Sequence, residues 1–286
     1  MRIHLVANVH RPDALAAAES ASKWIINRGI EFAVEPETAR HVKLPVIASE
    51  HFAEADLVLA FGGDGTLIRA AHLCSERGTP ILGVYYGRFG FVTQCTDENL
   101  EKCVVDVIEG RGHIESRLML EASLLRAGHP VASLYALNEV VLQRSISTRM
   151  LTFRVTVDGY PLTSYPADGV LVSTPTGSTA YNLSVGGPIV DPTLEALVLS
   201  AIAPHTLSAR SLILRTDSVI DLSLETSFGE SILSADAQTR LHVLPGDEVK
   251  IRRSERVTNL VIVESEDFLV KLRQRLLWSK GMFGEE

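Results

Sequence analysis

The chain has 286 residues, 46 % of them hydrophobic, and a formal net charge of −8. That length suffices for one large domain or two ordinary ones, with no need for disulfide or metal staples. The acidic balance, without any Lys/Arg-rich run, argues against a nucleic-acid binder, whose affinity comes mainly from phosphate neutralisation. It leaves open local phosphate binding through backbone N–H groups and a metal ion. Cys74, Cys95 and Cys103 lack metal-ligand spacing and read as buried or idle thiols in a reducing compartment. The opening MRIHLVANVHR has too short an apolar stretch for a signal peptide, and no window approaches a membrane span. A soluble cytoplasmic protein without a membrane partner is the expectation.

In chain order, Ile3 to Asn8 is a short apolar run. Pro12 and Asp13 then open an Ala-rich helix that closes at Arg28-Gly29. Glu31 to Val34 reads as the next strand. Asp56 to Phe61 is the continuous apolar run of a doubly covered parallel strand, followed by Gly62-Gly63 and a helix from about Thr66 to Arg77. A strand over Pro80–Val84 and a helix over Asp97–Glu109 complete an alternation that argues for βαβ units. From about His113 the character changes. Met150–Val157, Gly169–Ser173, Leu212–Leu214, Val219–Leu224, Val249–Arg252 and Leu260–Val263 read as short strands, with turn signals at Asp158-Gly159 and Pro245-Gly246-Asp247. Only Thr193–Ala203 reads as a helix in this half. The expected fold class is an α/β N-terminal domain with a Rossmann-like parallel sheet over residues 1–112 and a mostly β sandwich over 113–265. A packing helix in 266–286, with apolar residues at helical spacing from Phe268 to Leu277, is expected, and its return to the first domain is one reading of it.

Three segments carry chemistry. Phe61-Gly62-Gly63-Asp64-Gly65-Thr66 lies at a strand-to-helix turn, where glycines let the backbone approach an anion and the helix presents free N–H groups. Asp64 would repel phosphate unless it accepts a proton from an attacking hydroxyl or helps hold a metal that bridges the phosphates. No GxxxxGK[ST] is present, so the turn is not a P-loop. The second segment, Val172–Val190, is rich in small and hydroxyl residues. Thr174, Thr176, Ser178 and Thr179 offer hydroxyls to an adenine or ribose, and Tyr181 offers a ring face. Its T-G-S-T-A is not a G-x-S-x-G elbow, which argues against a serine hydrolase. The third is Asn138-Glu139 in ALNEVVLQR, either a fork onto ribose hydroxyls or an exposed strand-end pair; Asp168-Gly169, taken alone, reads as a turn.

Together these segments resemble the bacterial NAD kinase family in order and spacing. The matching features are GGDGT at Gly62–Thr66, Asn138-Glu139, ADG at Ala167–Gly169, TPTGSTAYNLSxGGPIV at Thr174–Val190, PHTLSAR at Pro204–Arg210 and FxxxLRxxLxW at Phe268–Trp278. GGDGT alone is also found in diacylglycerol and sphingosine kinases and in phosphofructokinase-like folds. The resemblance implies transfer of the terminal phosphoryl group of ATP or polyphosphate, with Mg²⁺ or another divalent cation, onto the 2′-hydroxyl of the adenosine ribose of NAD. It implies Asp64 as proton acceptor, with Gly62, Gly63, Gly65 and Thr66 at the donor phosphates. Asn138 and Glu139 would hold the adenosine, and Asp168 would meet the nicotinamide end from a neighbouring subunit. Thr176 and Thr179, Ala180, Tyr181, Asn182, Leu183 and Ser184 would surround the bases, and Arg149 and Gln238 would join the nucleotide contacts. Arg69 either faces the phosphates or is a solvated helix arginine, and His205 reads as structural. A homodimer or homotetramer is implied.

The chain departs from the family pattern at three places. Tyr85-Tyr86 stands where an Asn is usual, Asp236-Ala237-Gln238 replaces Asp-Gly-Gln, and Pro166 precedes Asp168 by two. Two rival functions share the GGDGT turn. A lipid kinase requires a deep apolar pocket in the β domain, and a silent NAD(H)/NADP(H) sensor requires binding without turnover.

Overall fold

The computed structural model describes residues 1–86, 95–96, 99–145, 150–226, 229–263 and 268–276. The chain divides into two units, Met1–Ser116 together with the chain from Thr258 onward, and Arg117–Val257.

In the first unit four strands pair in parallel: β1 (Arg2–Ala7), β2 (Glu31–Val34), β3 (Leu57–Gly62) and β4 (Ile81–Tyr85), in the order β2-β1-β3-β4. Every residue of β3 is buried, as a strand covered on both faces requires. Helix α1 (Pro12–Asn27) starts on a proline that has no N–H to leave unpaired. It buries Ala14, Ala17, Ala18, Ala21 and Ile25 along one stripe and ends where Gly29, at φ +68°, donates its N–H to the Ile26 carbonyl. Helices α2 (Pro36–Ala39), α3 (Asp64–Cys74) and α4 (Leu100–Ile108) follow β2, β3 and β4. Ile3, Leu5, Leu59, Phe61, Leu82 and Val84 form the core with Ala18 and Ile25. The strand order reverses between β1 and β3, and ligands of open parallel sheets bind at the carboxyl ends of strands at such a point. Here those ends carry Ala7-Asn8 and Phe61-Gly62.

The second unit is antiparallel. Its strands are β5 (His113–Arg126), β6 (His129–Ala136), β7 (Glu139–Arg144), β8 (Leu151–Val157), β9 (Tyr160–Ala167), β10 (Gly169–Ser173), β11 (Ala196–Ile202), β12 (Leu212–Arg215), β13 (Ile220–Leu224), β14 (Ser231–Ala235), β15 (Thr239–Val243) and β16 (Glu248–Ile262). One sheet runs β12-β11-β10-β7-β14-β15, and β16-β13-β8-β9 with the β5–β6 hairpin forms the other. Leu142, Val170, Leu199 and Leu233 of the first pack with Phe153, Val155, Leu222 and Ile251 of the second in one core. A single turn of helix, α5 (Tyr181–Ser184), sits in the long connection after β10, and α6 (Phe268–Arg275) ends the described chain with Leu272 buried.

The expected helix over Thr193–Ala203 is instead β11. ALVLSAI is a short run buried on both faces, and periodicity alone does not separate such a strand from a helix. The continuous pairing of Gly169–Ser173 with Val198–Ile202 decides for the strand. The two expected strands at Val249–Arg252 and Leu260–Val263 are parts of one long β16. Strands β5, β6, β9, β14 and β15 escaped the sequence pattern. In β5, β6, β9 and β15 solvated faces, with Pro130, Pro161 and Pro166, hide the alternation; β14 is five residues, nearly all buried, two of them serines.

The β14–β15 hairpin turns through Asp236 at φ +48° and Ala237 at φ +56°, closed by the Gln238 N–H on the Ala235 carbonyl. Positive φ at both central residues of such a β-turn favours glycine there. Ala237 therefore occupies a conformation that costs an L-residue about 1–2 kcal/mol. Ala237→Gly relieves it, against about 0.4–1 kcal/mol of added unfolded-chain entropy. The variant is expected to be up to about 1 kcal/mol more stable, read as a higher urea midpoint at unchanged slope.

Candidate active site

The Gly62–Thr66 turn leaves the fully buried β3 and enters α3 at Asp64, with Gly63 as the residue before the helix. A side chain at Gly62 would collide with the Thr66 hydroxyl and press on Asn8, so the turn is tight beneath. At Gly63 and Gly65 an added Cβ meets nothing within 4 Å among the described residues, so the turn is open above. The start of α3 directs its first N–H groups and its positive dipole end at that opening. Asp64 is half-buried in the first turn. The Tyr86 N–H donates to the Gly62 carbonyl at 3.0 Å, and the Tyr86 ring lies 6.4 Å from that of Phe61, so the unusual Tyr85-Tyr86 pair backs the turn. The rest of that departure, from Gly87 to Phe91, lies outside the described residues.

Arg69 is partly buried, and neighbouring protein groups engage its guanidinium. It donates to Glu37 at 2.7 Å, to the Ala7 carbonyl at 2.6 Å and to Glu35 at 3.2 Å. Glu35 is buried. It accepts from the Glu37 and Thr38 backbone N–H groups, each at 2.8 Å, and from the Thr38 hydroxyl at 2.6 Å. The Thr38 hydroxyl in turn accepts the Ala7 N–H at 2.9 Å. This network fixes the end of β1 against α3, just below the turn.

In the second unit, Leu137 and Asn138 make the bend between β6 and β7, and Glu139 begins β7. The carboxylate of Asp236 accepts the N–H groups of Leu137, Asn138 and Glu139 at 2.7, 2.8 and 3.0 Å. The Asp236 N–H donates back to the Glu139 carbonyl at 3.0 Å. On the other side, the Thr174 hydroxyl donates to the Leu137 carbonyl at 2.6 Å, and the Thr174 N–H to the Asn138 carbonyl at 2.9 Å. Gly177 lies against the Asn138 backbone so closely that any side chain there would overlap it. Glu139 is 8 % exposed, its Oε2 buried with no hydrogen-bond partner among the described residues. Burial, with the Asp236 charge adding to it, pushes its carboxyl up to about 7 against the Tyr181 backbone N–H, which pulls it down.

Of the hydroxyls expected to face a nucleotide, Thr174 and Ser178 do not. Both are fully buried and bonded inward, Ser178 to the Pro175 and Val190 carbonyls. Asn182 is buried too. Its amide donates to the Ser178 and Pro188 carbonyls and accepts from the Ser200 hydroxyl at 2.9 Å. Thr176, Thr179, Ala180, Leu183, Tyr181 and Ser184 keep accessible surface. Asp168, between β9 and β10, accepts from Arg144 Nε at 2.7 Å. Gln238 is exposed beside the β14–β15 turn. Arg149 lies outside the described residues. His205 holds the Pro166 carbonyl through its backbone N–H.

Asp236, Glu35 and Thr38 are absent from the sequence-derived site. An Asp opening a two-residue turn between alternating runs was a readable sign of the hairpin, but its reach to residues about a hundred positions away was not.

An acid whose native pKa is raised loses stability as pH climbs from its unfolded value to its native one, because the native state binds the extra proton. For Glu139 that window is 4.5 to about 7. Glu139→Gln removes the effect. Relative to wild type, the variant is expected to gain roughly 3 kcal/mol in urea unfolding between pH 5 and pH 8.

Two family models cover most of the chain: the ATP-NAD kinase N-terminal domain over residues 3–112 and the ATP-NAD kinase C-terminal domain over 137–263. The chain is 38 % identical over 281 residues to the NAD kinase of Geotalea daltonii, covering 98 % of this chain and 99 % of that one. To the NAD kinase of Citrifermentans bemidjiense it is 40 % identical over 285 residues, with the same coverage. Among solved structures, yeast NADH kinase complexed with NADH matches at TM-score 0.89 and 25 % identity, over 100 % of this chain and 90 % of that one. An NAD kinase from Archaeoglobus fulgidus in complex with ATP matches at TM-score 0.76 and 25 % identity, over 97 % and 99 %. With both domains matched in order and relatives aligned end to end, the chain belongs to the NAD kinase family.

Proposed function

We propose that the chain transfers the γ-phosphoryl group of ATP to the 2′-hydroxyl of the adenosine ribose of NAD, with the first unit holding the donor and the second the acceptor nucleotide. The observation that carries this is the Gly62–Thr66 turn: tight at Gly62, open at Gly63 and Gly65, and placed on the amino end of α3 at the sheet's switch point. The ribose oxygen attacks phosphorus as its proton passes to the Asp64 carboxylate. The bond to the β,γ-bridging oxygen breaks, and ADP leaves with that electron pair. No covalent intermediate is required, since such transfers depend on positioning and charge neutralisation. Inorganic polyphosphate presents the same terminal group and is an alternative donor.

On the acceptor side, Asn138 and Glu139 hold the adenosine ribose and base. Thr176, Thr179, Ala180, Tyr181, Leu183 and Ser184 line the adenine and nicotinamide portions, and Arg149 and Gln238 add nucleotide contacts. Asp168 meets the nicotinamide end of NAD bound by a neighbouring subunit. Asn182 serves by shaping the loop, and Arg69 by fixing the β1–α3 junction.

Among the described residues no three His, Cys, Asp or Glu side chains gather to hold a metal. Asp64 offers a single carboxylate beside the donor phosphates, which suits a magnesium ion carried mainly by phosphate and water. Bound there, the cation supplies neutralisation of the charge on the transferring group. No helix among the described residues is long and apolar enough to cross a membrane, in keeping with work on small soluble substrates in the cytoplasm.

NADP⁺ formation from NAD⁺, ATP and Mg²⁺ tests the reading, beside Asp64→Asn. The substitution is expected to cut turnover by orders of magnitude while the NAD dissociation constant stays within about twofold. Binding without turnover in the wild type, with ATP and with polyphosphate, would establish a sensor instead. Sedimentation at micromolar concentration is expected to show a dimer or tetramer. A fully active monomer would remove Asp168 from the site.

A further inference from the structure

We infer that Asp236 is a positioning residue for acceptor binding, clamping the Leu137–Glu139 backbone so that Asn138 and Glu139 are presented in one conformation to the ribose. The inference rests on the reading that this pair holds NAD, and goes beyond it by assigning what holds the pair.

The bend after β6 interrupts the ladder, so its backbone groups need other partners. Three successive N–H groups converge on one carboxylate, two of them on Oδ1 and one on Oδ2. A neutral side chain of the same size does not reproduce this. Asparagine has one accepting oxygen, and its amide nitrogen would point a donor at a donor. The Asp236 N–H closes the ring onto the Glu139 carbonyl. Asp236 is 6 % exposed and sits at φ +48° in its turn, a conformation Asp tolerates better than most residues.

The clamp has a second consequence. The charge that lets one side chain accept three N–H groups also stands beside another carboxylate. Here the Asp236 charge reaches Glu139, whose other neighbour in this sense is the Tyr181 backbone N–H from the loop after β10, and both act on its ionisation. Glu139 must be ionised to accept two ribose hydroxyls, so NAD affinity weakens as pH falls through its pKa. Burial places that pH above the ordinary carboxylate range, and the Asp236 charge raises it further.

The test is the NAD dissociation constant from pH 5.5 to 9 for wild type, Asp236→Asn and Glu139→Gln, by calorimetry without donor. Asp236→Asn is also made with Ala237→Gly, which relaxes the turn and keeps the protein folded. Wild type is expected to lose affinity below about pH 7. Asp236→Asn is expected to bind at least tenfold more weakly on the alkaline plateau, with its acid limb moved to lower pH, while the KM for ATP stays within about twofold. An unchanged plateau overturns the inference, as does a limb that stays at its wild-type pH. If Glu139→Gln binds NAD as wild type does at every pH, the reading of the pair itself fails, whatever Asp236→Asn shows.

Discussion

A backbone that leaves its ladder inside a protein must find partners for every N–H and carbonyl it exposes, and the second unit of this enzyme is organised around one such place. At Leu137–Glu139 the N–H groups go to Asp236, and the carbonyls go to Thr174 and to the Asp236 N–H. Two elements remote in sequence, the hairpin turn at 236 and the loop after β10, are thereby tied to the same three residues. Gly177 has to be a glycine because the loop comes down onto Asn138 at backbone distance. The accessible residues of that loop, Thr179 and Tyr181 among them, owe their placement to its buried ones, Thr174, Ser178 and Asn182.

The first unit solves the same problem with charge. Behind the open glycines, Arg69, Glu35, Glu37 and Thr38 join the ends of β1 and β2 to the first turns of α3. A buried carboxylate beside an arginine is expensive to desolvate, and its hydrogen bonds to two N–H groups and a hydroxyl offset that cost. What results is less a gain in stability than a fixed geometry at the carboxyl ends of β1 and β3, the strand ends at which open parallel sheets bind their ligands.

How much of this was legible in the sequence follows from how local each feature is. The Gly62–Thr66 turn is read directly, because a buried apolar run, glycines and a helix start are all adjacent in the chain. Strand β10 is read from Gly169 to Ser173 for the same reason. By contrast, ALVLSAI reads as helix in the sequence because only its partners, β10 and β12, distinguish the two. The hydroxyls of Thr174 and Ser178 read as ligand contacts because composition does not say which way a side chain turns. In a tight loop the hydroxyls satisfy backbone first, and the ligand receives what remains.

The same logic applies to Arg69. Its position one turn into α3 leaves ligand or solvent as the two fates open to an arginine judged on its own helix. Its true partners come from the segment after β2, more than thirty residues earlier, and from the last carbonyl of β1. Catalytic groups in an open sheet stand on a few strand ends, so the residues that aim them are drawn from other strands. The site's supporting residues are therefore the part least visible in a linear reading: Tyr86 holds the Gly62 carbonyl from the end of β4, and Asp236 holds the Leu137–Glu139 bend from a turn about a hundred residues on.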